Sequence, residues 1–459
     1  MNMKKLFALV LALVLSLSLF AGCGSDSSTP PASTGGDSGS APAENVTIQV
    51  AALHSAYLEA YPEMWQEICD AFTAQTGIKV ELTVDKNLED VLDPQMKAGN
   101  FPDVVHLAVG RPAALTETLI KENMLLELTD MLNMTIPGEN VTVKDKLIPG
   151  FTDTAVTNPY SDGKTYLAPM FYGPCGLFYN KALFEEKGWE VPATWDGMWE
   201  LAEAAKAEGI SLFAYPTTGY FDAFTYALMN VVGGPDFFDK ATHYAEGIWD
   251  TEEAKTLFEI LDKLASYTEP SVPSNANNQN FLKNQQLLID NQALFMPNGT
   301  WVTGEMADAV EAARANGNKF EWGFTALPAL TEGGDAYSYT FFEQAWIPSE
   351  SKHPEEAKQF LAFLYSDVAA EIFAKGNGIQ PISGMTDKLE GENKLFYSIY
   401  DTGAKASMGN FAATDAVEGV SMANSMFAAV DSLVNGDITI DQYIAGIKEA
   451  SDALREALK

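Results

Sequence analysis

Cationic side chains are scarce in this chain: 28 lysines and arginines stand against 63 aspartates and glutamates, a net charge of -35 over 459 residues. A surface of that sign repels phosphate backbones and anionic lipid headgroups, which argues against nucleic acid or a charged membrane surface as partner. It also disfavours a free anionic ligand unless a local basic pocket overrides the field, and it favours solubility. Cysteine is nearly as rare, with three in the chain. Cys69 and Cys175 lie far apart and form neither a Cys-x-x-Cys pair nor a zinc spacing, so a disulfide between them stays open. The four histidines, His54, His106, His243 and His353, are scattered without metal-ligand spacing. Also missing are Gly-x-Ser-x-Gly, His-Glu-x-x-His, a P-loop and a Gly-x-Gly-x-x-Gly after a strand. Adjacent acids such as Glu185 and Glu186, Glu252 and Glu253, or Glu355 and Glu356 sit in Lys- and Ala-rich helical stretches and read as solvated helix faces. Two carboxylates converging from separate loops, as glycoside hydrolysis needs, are not visible in sequence order. The expectation is therefore no metal, no cofactor and no enzyme.

What the chain does have begins at its N-terminus. Lys4 and Lys5 precede an apolar run from Leu6 to Phe20 that ends in Ala21-Gly22-Cys23. Charge, length and small-residue exit make residues 1–22 a signal peptide, too short for a membrane span. The end of the run resembles a bacterial lipobox, with Phe20 where leucine is usual, and that resemblance makes Cys23 the lipid-anchored residue. Residues 23–45 follow as a Ser-, Gly- and Pro-rich tether with almost nothing that can pack.

The remaining length is too great for one small core, and 47% hydrophobic residues are enough for more than one. "NVTIQVAAL" and "IKVELTV" alternate at period two, and "FPDVVHLAV" gives a third strand. Between the first two, "YPEMWQEICDAFTAQTG" places Trp65, Ile68, Cys69 and Phe72 on one helix face and Gly77 at its end. Strands alternating with amphipathic helices predict α/β architecture with a largely parallel sheet. Later helices are expected from Asp250, with Glu253 at capping-box spacing, from Pro354 to Gly376, and from Thr439 with Gln442 three places on. In "PMFYGPCGLFYNK", Gly173, Pro174 and Gly176 suit a bend.

Aromatic residues recur in turn-rich contexts at strand ends, among them Tyr172, Tyr220, Phe221, Trp301, Phe342 and Trp346. Sugars offer flat C–H faces that stack on rings and hydroxyls that need directed polar partners, so such a set suits a carbohydrate site. Each ring taken singly is equally at home in a core.

Read in order, "FTAQTGIKVEL", "FPDVV", "DGKTYLAP" before "GLFYNKALFEEKG", "PATWDGMWELAEAAK", "ALFMPNGTW" and "PEEAKQFLAFLYS" resemble the family 1 extracellular solute-binding proteins of carbohydrate ABC transporters. The resemblance covers the chain from about Val46 to the C-terminus. It implies a two-lobed periplasmic-binding-protein-like α/β fold with an interlobe ligand cleft and crossing hinge strands. The first lobe would hold 46–172 and 345–385, the second 173–344 and 386–459. The implied function is a membrane-anchored extracellular receptor, monomeric, that captures a neutral sugar or oligosaccharide by lobe closure and delivers it to an ABC permease. The rivals from other classes are a secreted glycoside hydrolase and a surface scaffold protein with an aromatic cleft.

By the same resemblance, ligand contacts map to His106 and Arg111 past the third strand, and to Tyr220, Phe221 and Asp222 in "TTGYFDAF". Trp301 of "NGTW" maps to an aromatic platform, while His54, Phe342 and Glu343 are further contacts. Maltodextrin-binding members carry a ligand carboxylate near the first crossing, where this chain has Gly173, and Tyr172 is the candidate in its place. The chain is loosely similar to receptors for N-acetylglucosamine or chitobiose, which leaves sugar, linkage and length open. A nucleophilic role for Cys175 would need a base or a cation beside it, and the segment supplies none.

Overall fold

The computed structural model describes residues 46–54, 61–109, 111, 113–152, 154, 156–376, 378–412 and 417–458, with backbone alone at Tyr61, Phe171, Tyr172 and Phe341. The expected signal peptide, Cys23 and the tether lie outside the described residues. The alternating stretches become β1 (Thr47–Leu53) and β2 (Lys79–Asp85), with β3 (Val104–His106) on the other side of β1, all parallel. The connecting helix Tyr61–Thr76 buries Trp65, Ile68, Cys69 and Phe72, the stripe its 3.6-residue period sets. Each of these side chains contributes about 2 kcal/mol by leaving water. Gly77 ends the helix at φ +79°, a left-handed turn that glycine adopts without steric cost.

Six strands follow: β4 (Ala168–Asn180), β5 (Ser211–Phe213), β6 (Ala293–Gly299), β7 (Trp322–Thr325), β8 (Tyr337–Trp346) and β9 (Lys405–Ser407). The main path of the sheet is β2-β1-β3-β8-β4-β6-β5, with β7 on β4 and β9 on β8. β8 is antiparallel to both β3 and β4, and β4 is antiparallel to β6. The sheet is therefore mixed rather than largely parallel, because these two long strands run between its parallel ends. The expected bend at Gly173-Pro174-Cys175-Gly176 does not occur. Gly173, Pro174 and Cys175 stay paired with Phe341, Thr340 and Tyr339, and the irregularity in β4 falls earlier, between Pro169 and Tyr172. Gly176 is explained by closeness instead: a Cβ there would meet the Thr325 carbonyl oxygen at 2.4 Å.

Apolar clusters cover the sheet on both sides. One joins Ile48, Trp65, Phe72 and Phe360, and extends to Phe178 and Trp322. A second packs Ala51 and Leu53 of β1 against Leu88, Leu92 and Trp346. The third gathers Leu177, Trp195, Phe224, Phe258 and Leu454. The result is a two-lobed α/β body in which β4 and β8 are shared.

Local polar chemistry adjusts two helix boundaries. Thr251, not Asp250, caps the helix Glu252–Tyr267, its hydroxyl accepting from the Ala254 N–H at 3.3 Å. Asp250 instead ends the turn before it and pairs with Lys448. The stretch from Pro354 is two helices, Pro354–Phe363 and Asp367–Lys375, because Ser366 starts the second by accepting from Ala369 N–H at 3.1 Å. At the last helix, Ile440–Ala457, the Thr439–Gln442 capping box forms as its spacing predicts.

An ion network around the buried Lys146 also organises the fold. Lys146 lies 2.7 Å from both Glu139 and Asp367, and Asp367 pairs in turn with Lys388. Backbone bonds from Ile148 N–H to Pro381 O (2.8 Å) and from Ser383 N–H to Lys146 O (3.0 Å) dock the segment before Lys388 onto the same place.

Candidate functional site

Two local motifs build the aromatic part of the site. In "PTTGYFDAF" the Thr217 hydroxyl accepts from Gly219 N–H at 3.2 Å and starts the helix Thr218–Thr242, so Tyr220 falls in its first turn. In "MPNGTW" β6 ends at Gly299, and Trp301 opens the short helix Val302–Glu305. The Trp301 Nε1–H donates to the Tyr220 hydroxyl at 2.8 Å, with ring centroids 5.9 Å apart and planes tilted by 36°. Both side chains are half-buried. Phe221 does not join them. It is 1% exposed and packs against Tyr215 and Phe224 in the core, so the expectation of a ligand-facing Phe221 is corrected. Helical spacing carried that signal, since Phe221 and Phe224 share a face three residues apart.

Asp222 lies two residues beyond Tyr220 and accepts from the Ala223 N–H. Burial pushes its carboxyl up to about 7, against the lesser pull of that hydrogen bond. Its charge adds to the upward shifts of Cys175, Tyr226 and Tyr339. Tyr339 in turn donates to Asn410 Oδ1 at 2.8 Å, a neighbour that nothing in the sequence singled out. Burial, with Asp222 adding to it, raises the Cys175 thiol well above its ordinary value, the reverse of what a nucleophile needs. Burial likewise pushes Cys69 up to about 12, and both thiols are free.

At the other end, β3 delivers His106, 1% exposed, with Nε2 3.0 Å from Glu343 Oε2 on β8. Trp65 packs over the imidazole at 5.3 Å. Gln344, 1% exposed, accepts from Val109 N–H at 2.9 Å and holds the chain after β3; sequence reasoning missed it. Arg111 is committed elsewhere. Its Nε and Nη2 fork onto both carboxylate oxygens of Glu89, the second contact at 3.1 Å. Burial raises the Glu89 carboxyl, but the Arg111 hydrogen bond and charge outweigh it and hold it below the usual range. Arg111 is thus half of an ion pair in this structure rather than a group presented to ligand. His54 is half-buried at the end of β1, its N–H donating to Asp85 O at 2.9 Å. Phe342 is half-buried in β8 opposite Tyr172, whose side chain lies outside the described residues.

The strand register brings these groups together. Gly173 pairs with position 341, and Glu343 lies two places further along β8. Residues two apart share a face of a strand, so Glu343 and the Cα face of Gly173 lie on one side of the sheet, about 7 Å apart along the strand. Trp301 covers that face of Gly173: a Cβ there would meet its Cζ3 at 3.0 Å. The space where a carboxylate-bearing side chain would stand at position 173 is taken by the indole. Cys175 is two places the other way, within reach of the Asp222 charge. One face of the β4–β8 pair therefore carries, in line, the His106–Glu343 pair and the Trp301–Tyr220 platform, with Cys175 beyond them within reach of the Asp222 charge. Among the described residues no group of three or more His, Cys, Asp or Glu is arranged to hold a metal ion.

Residues 55–371 match the profile of the bacterial extracellular solute-binding proteins. The chain belongs to that family. This solute-binding protein is 23% identical over 423 residues to the diacetylchitobiose binding protein NgcE of Streptomyces coelicolor, covering 90% of this chain and 86% of that one. It is 25% identical over 409 residues to a maltooligosaccharide ABC transporter solute-binding lipoprotein of Streptococcus pneumoniae, covering 85% and 84%. The fold matches the solute receptor AcbH with a TM-score of 0.67 at 20% identity, over 90% of this chain and 99% of the other. It matches the apo form of RafE from Streptococcus pneumoniae with a TM-score of 0.63 at 18% identity, over 91% and 100%.

Proposed function

We propose that this solute-binding protein captures a neutral sugar or oligosaccharide by closure of its two lobes and delivers it to an ABC permease. The observation that carries the reading is the line of groups on one face of the β4–β8 pair. A half-buried indole and phenol offer apolar faces, and the carboxyls of Glu343 and Asp222 offer acceptors for hydroxyls. The names of the Streptomyces and Streptococcus relatives support an amino-sugar or glucose oligosaccharide, and the low cation content supports a neutral one. The lobes divide as 46–172 with 345–385 and 173–344 with 386–459, and Cys23 carries a lipid that holds a monomer at the outer face of the membrane. Ligand contacts made by both lobes exist only in the closed form, so binding shifts the population towards it without bond chemistry.

The test is a melting-temperature screen with N,N′-diacetylchitobiose, maltotriose and raffinose, followed by recovery of the ligand. A stabilising shift with intact ligand is expected, since a ligand that binds only the folded state raises its stability. No shift with any of them, or recovery of cleaved products, would sink the proposal.

A further inference from the structure

Trp301 lies on two glycines that no turn or positive φ explains. Gly173 and Gly299 are both strand residues, and neither belongs to the positive-φ glycines. What they supply is room. A Cβ on Gly299 would fall 2.1 Å from Trp301 Cη2 and 2.3 Å from Cζ2 and Cζ3, and one on Gly173 would fall 3.0 Å from Cζ3. Gly299 pairs with Cys175, two places from Gly173, so the two bare backbones are neighbours on adjacent strands beneath one ring.

The main chain on either side of this seat is tied down. Asn298 Oδ1 accepts from Gly299 N–H at 2.8 Å, and Asn298 Nδ2 donates to Gln285 Oε1 at 3.2 Å. Gln285 Nε2 donates to Glu305 Oε2 at 3.0 Å, and Glu305 N–H donates to Trp301 O at 3.0 Å. Asn298 and Gln285 are buried, so this closed circuit holds the chain from Gly299 to Trp301 in place. An added methyl must then be met by the far end of the indole rather than by the backbone.

We infer that Gly173 and Gly299 are positioning residues for ligand capture: their bare backbones seat the Trp301 indole and set the height at which it meets the C–H face of a pyranose ring. The inference rests on the sugar-receptor reading above.

The test uses the protein labelled with 5-fluorotryptophan, the Trp301 signal being assigned by Trp301→Phe. In Gly299→Ala that fluorine signal should move while the other seven tryptophans of the eight hold theirs. Affinity for N,N′-diacetylchitobiose should fall about tenfold, the scale of one lost stacking contact. In a Trp301→Ala background, Gly299→Ala should cost nothing more, because its effect runs through the ring. An unmoved Trp301 signal, or an equal loss of affinity in both backgrounds, overturns the seat. Gly173→Ala, with its milder contact, repeats the measurement if Gly299→Ala fails to fold. Wild-type affinity in Trp301→Ala would instead overturn the receptor site, leaving the seat to be decided by the fluorine signal alone.

Discussion

The Trp301 indole N–H donates to the Tyr220 hydroxyl at 2.8 Å, joining residues 81 positions apart in sequence. The bond locks two rings at a fixed tilt before any ligand arrives, so less ordering remains to be done on binding. Tyr220→Phe keeps the ring and removes the acceptor. Affinity for the stabilising sugar should fall about fivefold, the scale of one net hydrogen bond, while Trp301→Ala should lower it about tenfold or more yet leave it measurable, with the melting curve intact. Titration calorimetry reads both; equal affinities for wild type and Tyr220→Phe would show that the bond does not set the platform.

Asp222 gives a pH signature. Its carboxyl sits at about 7 in the folded protein, chiefly through burial, against about 3.9 in an unfolded chain. Between those values the unfolded chain has released a proton that the folded one still holds, so stability falls as pH rises through the window. Melting temperature should drop between about pH 5 and about pH 8 more in wild type than in Asp222→Asn. A sugar hydroxyl donating to the carboxylate favours the ionised form, so wild-type affinity should rise over the same range and the variant's should not. Parallel profiles would remove Asp222 from both roles.

The Arg111–Glu89 fork answers to acid in the opposite sense. Glu89 is held below its ordinary 4.5, so its stabilisation is present above that value and is lost as pH falls through the lower folded value. Arg111→Ala leaves Glu89 buried without its partner and should cost about 2 kcal/mol in urea denaturation at neutral pH. Glu89→Gln should flatten the acid limb of the stability curve, and an unchanged acid limb would show that the pair is not its source.

Lys146 holds Glu139 and Asp367 within 2.7 Å of one ammonium. Lys146→Met sets two carboxylates against each other beside the docked segment at Pro381 and should cost about 3 kcal/mol. Urea denaturation measures it, and a cost below about 1 kcal/mol would class the network with exposed ion pairs.

Much of the fold is readable from periodicity, because a helix such as Tyr61–Thr76 announces its buried stripe locally. Thr439 and Gln442 announce their cap in the same way. The division of neighbouring aromatics is harder: Tyr220 and Phe221 are adjacent, and only the helix phase sends one to Trp301 and the other to the core. Pairings such as Arg111 with Glu89, or His106 with Glu343 from 237 positions away, depend on strand order and are silent in the sequence. Gly173 beneath Trp301 reads as part of a bend for the same reason, since what occupies its empty side comes from another strand.

β4 and β8 pair from Cys175 and Tyr339 to Tyr172 and Phe342, and again at Pro169 with Gln344 and Ala168 with Ala345, on either side of the irregularity. A hydrogen-bonded ribbon resists shear and bending in its own plane but coils readily about its length. Under the proposed closure, a swing of one lobe against the other would be a change of coil spread over several residue pairs, a torsion spring rather than a door hinge. Gly173 lies inside that ribbon with the Trp301 ring resting on it, so under the proposed function a ligand pressing on the indole would load the spring directly.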